Sequence, residues 1–123
     1  MKAVLLISHG SRYAKTKEEV SELAHFLRQK CDAGIFEYAF LELERPSIPE
    51  GVDVCVAKGA TDIVVLLNFL DSGQHVDSDI PKIIQETQGR YPHVVFRVTM
   101  PVGQHPDIAD IFLKLLKDKG INF

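Results

Sequence analysis

Imidazole and carboxylate groups stand at three places where this chain leaves an apolar run. His9 follows Ala3 to Ile7, Glu42 and Glu44 close the stretch that begins at Ile35, and His75 follows Asp62 to Leu67. Two imidazoles and a carboxylate suit a divalent first-row metal ion, and imidazole also exchanges protons near neutral pH. Ser8, Gly10 and Ser11 flank His9 and leave its ring room for a ligand. Gly10 also permits a positive φ or a close backbone approach. Asp71, Ser72 and Gly73, just before His75, are helix-entry residues with a structural role of their own. Glu42 alternates with Leu41 and Leu43, so it faces away from them, where a carboxylate is either solvated or paired.

The other polar residues read as structural. His25 lies among helical residues, and His93 follows Pro92 at a strand start, the wrong edge of a sheet for a site. His105 precedes Pro106 at the entry to the last helix, and Asp77, Asp79 and Lys82 read as the solvated face of a helix. Ser8-His9-Gly10-Ser11 lacks the glycine spacing and the Lys-Ser/Thr pair of a phosphate loop.

The elements that must position the three groups follow from the apolar periods. Ala3 to Ile7 is a continuous run that reads as a buried strand. Val20, Leu23, Ala24 and Leu27 mark a helix from about Ala14 to Cys31, and Gly34 ends it. Ile35 to Leu43 reads as the second strand, and Pro46 and Pro49 then break the chain before a short helix, Glu50 to Lys58. Asp62 to Leu67 is the third strand, Gln74 to Thr87 a helix, and His93 to Val98 the fourth strand. Ile108, Ile111, Phe112 and Leu115 repeat at helical spacing after Pro106. This alternation predicts one α/β domain over residues 1–123: a three-layer arrangement with a four-stranded parallel sheet flanked by helices. In such a sheet, ligands bind beyond the carboxyl ends of the strands, where His9, Glu42 and His75 fall.

Composition narrows the function classes. The 123 residues are 46% apolar and 25% charged, which excludes a disordered tail. The net charge of −3, with no basic cluster, argues against nucleic acid as a partner. Apolar runs stop at five residues, as in Ile63 to Leu67, where a membrane span needs about 20. No signal-peptide core or cleavage site is evident, so a soluble cytoplasmic protein with no membrane partner is expected. Cys31 and Cys55 lack CxxC spacing, and both are expected as inert helical thiols rather than metal ligands.

The chain resembles the sirohydrochlorin chelatases, the cobalto- and ferrochelatases that need no ATP. The resemblance rests on Leu5-Leu-Ile-Ser-His-Gly-Ser-Arg12, Phe40-Leu-Glu-Leu-Glu-Arg-Pro-Ser47, Gly59-Ala60 and Asn68 through Pro81, and more weakly on Pro101 through Pro106. It implies that His9 and His75 hold the metal and accept protons from the macrocycle, with Glu42 assisting. It implies Ser11, Arg12 and Gly73, with the N–H groups that open the following helices, as contacts for the polycarboxylate sirohydrochlorin. No cofactor is implied beyond the substrate metal (Co2+, Fe2+ or Ni2+), among which such donors do not select. The short form of the family, which this chain resembles, pairs as a homodimer. Two rivals stand beside this reading. A histidine phosphatase needs an arginine where Ser8 stands, and a non-catalytic tetrapyrrole or metal carrier would bind without completing insertion.

Overall fold

A computed structural model describes residues 1–123. Four strands form one parallel sheet in the order β2-β1-β3-β4: β1 is Lys2–Ser8, β2 Ile35–Phe40, β3 Asp62–Leu67 and β4 Val95–Pro101. The connecting helices are α1 (Ala14–Lys30), α2 (Ile48–Ala57) and α3 (Ile80–Arg90), and α4 (Ile108–Asp118) follows β4. None of these helices is long and apolar enough to cross a membrane.

Successive side chains of a strand point to opposite faces, and β1 shows what that does to a continuous apolar run. Ala3, Leu5 and Ile7 join Val52, Cys55, Ile80 and Ile84 in the larger core, under α2 and α3. Leu6 faces the other way and packs with Val20, Ala24, Phe36 and Phe40 under α1. Both faces of β1 are therefore buried, as a central parallel strand requires.

Local chemistry sets the helix ends. The Ser47 hydroxyl accepts from the Glu50 N–H at 3.3 Å and the Glu50 carboxylate accepts from the Ser47 N–H at 2.9 Å, a reciprocal cap that starts α2 at Ile48, two residues before the expected Glu50. Arg45 also binds this carboxylate, and its guanidinium, with help from the Ser47 N–H, pulls the Glu50 carboxyl down to about 2. Cys55 lies wholly inside the core, and burial, with the nearby Glu37 charge, pushes its thiol up to about 11. Cys31 departs from expectation: α1 ends at Lys30, and Cys31 is exposed just beyond it.

Three further boundaries differ for physical reasons. The second strand stops at Phe40, not Leu43, because Leu41 to Ser47 fold into a turn in which the Phe40 N–H donates to the Pro46 carbonyl at 2.8 Å. The fourth strand is Val95–Pro101 rather than His93–Val98, since Val95 is the first residue to pair with Asp62 and the ladder then continues, through a bulge, to Pro101. The helix expected from Gln74 begins as a π-helical turn, His75–Asp79. Pro81 has no N–H to give to the carbonyl four residues back. Ile80 donates instead to the His75 carbonyl, five residues back.

The layers are unequal. α2 and α3 cover one face of the sheet, but on the other α1 packs chiefly against β2. α4 does not complete that layer: none of its residues is buried, against the expectation of helices packed on both faces.

Candidate metal centre

The carboxyl end of β1 is tied to the loop after β2 as a short zipper. The Leu41 N–H donates to the Ser8 carbonyl at 2.9 Å, and the Glu42 N–H to the His9 carbonyl at 3.0 Å. Gly10 lies so close, at φ +103°, that a Cβ there would stand 1.8 Å from the Glu42 carbonyl oxygen. The Ser11 N–H reaches the Glu44 carboxylate at 3.3 Å. Leu43 takes a left-handed φ of +67°, sparsely populated by non-glycine residues, and this reverses the chain beside His9. The result is a contact of 2.6 Å between His9 Nε2 and Glu42 Oε1.

His75 arrives from the end of β3. The π-helical turn sets it four residues before Asp79, whose Oδ2 lies 2.9 Å from His75 Nδ1. A carboxylate only accepts, so Nδ1 carries the proton and Nε2 keeps the lone pair that a metal needs. The His9 and His75 ring centroids are 4.7 Å apart, and Phe69 stands 6.3 Å from His9. Below them the Asn68 amide donates to the Ser8 hydroxyl at 3.0 Å, which satisfies a buried serine at the strand end.

One donor atom each from His9, Glu42 and His75 lies within 4.8 Å of the other two. Metal–nitrogen and metal–oxygen bonds of about 2.1 Å put tetrahedral donors about 3.4 Å apart. The His9–Glu42 contact must open a little, and His75 close a little, to admit an ion. All three side chains are about half exposed, so rotamer changes suffice. Two imidazoles and one carboxylate leave coordination positions open for water or for an incoming ligand.

The structure thus gathers the three residues expected to form the site. Ser11 is more constrained than expected: its N–H is spent on Glu44 and its hydroxyl accepts from the Tyr13 N–H at 3.0 Å. Arg12 is exposed on the same loop, and Gly73 is exposed two residues before His75. Asp79, read from sequence as a solvated helix residue, is the partner that orients His75; its spacing of four residues was the available signal. Glu44 also escaped a role, yet it holds the His9 loop, and its Oε2 is buried without a partner. His25 pairs with Gln29 on α1, His93 is exposed before β4, and His105 Nδ1 accepts from the Asp107 N–H at 3.1 Å.

Comparison with known proteins places this geometry in context. The CbiX family model matches residues 3–119. A sirohydrochlorin cobaltochelatase of Priestia megaterium is 39% identical over 99% of this chain and 40% of its own length. One of Methanothermobacter thermautotrophicus is 33% identical over 93% of this chain and 90% of its own. The solved structure of the sirohydrochlorin chelatase SirB of Bacillus subtilis subspecies spizizenii, in complex with cobalt, superposes with a TM-score of 0.88 at 32% identity. That match covers 95% of this chain and 50% of SirB, so the chain spans half or less of the Priestia and Bacillus proteins.

Proposed function

The chain belongs to the CbiX family, and from that premise we propose that it is a sirohydrochlorin chelatase, a lyase that inserts a divalent metal into the tetrapyrrole without ATP. Co2+ is the leading substrate metal, with Fe2+ and Ni2+ as alternatives, and residues 1–123 act as one domain of a cytoplasmic homodimer. The observation that carries the reading is the convergence of His9, Glu42 and His75 from three strand ends.

Insertion removes two pyrrole protons and exchanges the metal's water ligands for four ring nitrogens. His75 Nε2 and one nitrogen of His9 hold the incoming ion, and the open positions receive ring nitrogens as water leaves. Both imidazoles, once the ion has passed to the ring, accept the displaced protons, and Glu42 draws the His9 proton away through their 2.6 Å contact. Neutral nitrogen donors bind a first-row ion firmly enough to position it and weakly enough to surrender it, which thiolates would not. Arg12 and the Ser11 hydroxyl, on the loop that follows His9, and the backbone at Gly73, two residues before His75, contact substrate carboxylates.

The test is anaerobic insertion into sirohydrochlorin, followed by absorbance with each metal in turn. Acceleration that His9→Ala abolishes supports the chelatase. Tight binding of sirohydrochlorin with no acceleration over the spontaneous reaction would replace it with the carrier reading, which the exposure of all three donors favours.

A further inference from the structure

The loop after β2 holds the one non-glycine residue with a left-handed backbone, and it stands next to a metal donor. Leu43 has a φ of +67°, and the Glu44 N–H donates across it to the Glu42 carbonyl at 2.8 Å. A hydrogen bond closed over a single residue of positive φ is the γ-turn of the rare, strained hand. Glycine takes such a φ with no Cβ penalty, and asparagine tolerates it through its short polar side chain. The backbone alone would select either of these over leucine.

Core packing does not offset the strain. The Leu43 side chain joins neither apolar cluster of the fold and is 57% exposed. The preceding residue is Glu42, whose Oε1 lies 2.6 Å from His9 Nε2, so the Leu43 Cα is about 3.8 Å from that of a donor residue. The other donor loops repeat the arrangement. Tyr13, four residues after His9, is 67% exposed, and Leu70, five residues before His75, is 63% exposed. Each loop that brings a donor thus also exposes one large apolar side chain, and Leu43 does so from a strained backbone.

We propose that Leu43 is a substrate-contact residue, held in the left-handed turn so that its side chain packs against the apolar face of the tetrapyrrole. This deepens the chelatase reading above and rests on it. An ion that passes from imidazole to four ring nitrogens meets the macrocycle along the normal to its plane. Side chains that flank the donors then lie under the ring, while the carboxylates at its periphery reach outward to polar groups. A polar residue at position 43 would hold water against the ring face, and glycine would leave that face uncovered. Leucine covers it and offers no atom that competes for the ion or the proton. Strain of this kind persists where the surrounding structure over-determines it. Here the bonds from the Phe40 N–H to the Pro46 carbonyl and from the Glu42 N–H to the His9 carbonyl fix both sides of the turn.

The test compares Leu43→Asn, which relaxes the backbone and removes the apolar side chain, with Leu43→Met, which keeps one of similar size. Three readouts separate the roles: the thermal midpoint, Co2+ affinity by calorimetry, and sirohydrochlorin affinity by absorbance titration without metal. Leu43→Asn is expected to keep or raise the midpoint and to bind Co2+ within twofold of wild type. Its sirohydrochlorin binding is expected to weaken about five- to tenfold, the order that covering the exposed half of a leucine contributes. Leu43→Met is expected to bind the tetrapyrrole within twofold of wild type. A Leu43→Asn midpoint below that of wild type means that the leucine serves the fold, and overturns the proposal. So does a loss of Co2+ affinity beyond twofold, which means that the residue acts through Glu42. Sirohydrochlorin affinity unchanged in Leu43→Asn, or lost equally in Leu43→Met, overturns the contact alone. A wild-type protein that does not bind sirohydrochlorin overturns the chelatase and carrier readings together with this one.

Discussion

Gly10→Ala is the substitution whose consequences the geometry specifies most fully. The new methyl would stand 1.8 Å from the Glu42 carbonyl oxygen, where a carbon–oxygen contact needs about 3.3 Å. The two loops must therefore part by about 1.5 Å, more than the 3.0 Å hydrogen bond from the Glu42 N–H to the His9 carbonyl can absorb. Holding alanine at positive φ costs about 1–2 kcal/mol, and forced repacking about 1–3 more. The sum, about 2–5 kcal/mol, is a large part of the roughly 5–15 kcal/mol that holds a domain of this kind together. Urea denaturation should show that loss, and cobalt insertion should fall at least tenfold in whatever fraction stays folded, because His9 and Glu42 no longer meet. Gly73→Ala is the control: nothing lies within 4 Å of its Cβ, so stability should change by less than about 0.5 kcal/mol. A Gly10→Ala protein with a wild-type urea midpoint and turnover within twofold of wild type would refute the reasoning.

Four more outcomes follow from other parts of the molecule. His75→Ala should lose most insertion activity while the fold survives, and Asp79→Asn should weaken Co2+ binding by about 10–100-fold through misorientation of His75, both read by calorimetry and turnover. Glu50 is held down to about 2 by Arg45, against about 4.5 unfolded. Its depressed carboxyl contributes stability above pH 4.5 that is lost as pH falls through 2, so Glu50→Gln should flatten the acid limb of a urea-midpoint profile. A thiol reagent at pH 8 should label Cys31 quickly and leave Cys55 untouched until urea opens the core, because burial raises the Cys55 thiol to about 11.

The sheet was legible in the sequence because its signal is local. Ala3 to Ile7 had to be buried on both faces, and a run of that kind between helical patterns has few other places to go. His9 was legible for the same reason, since it closes such a run, while His75 lies a loop of seven residues beyond Leu67 and was placed by the helix that starts there. Glu42 was found, but on the assumption of a strand that continues to Leu43; its real support is a left-handed turn at Leu43 that no periodicity announces. The π-helical turn escaped notice although Pro81 stands seven residues into the helix expected from Gln74, where a proline cannot continue the regular hydrogen-bond ladder. α4 shows the opposite failure. Its apolar stripe was read correctly, but amphipathicity states only that a face needs cover and not which molecule supplies it.

The strand order β2-β1-β3-β4 bears on how the chain leaves the ribosome. β1 is made first and ends up central. β2 then finds one free edge of it, β3 the other, and β4 the outer edge of β3. Every strand arrives at an open edge, and none has to be inserted between two that are already paired. Synthesis from the N-terminus and growth of the sheet can therefore proceed in the same order, with no step that must be undone.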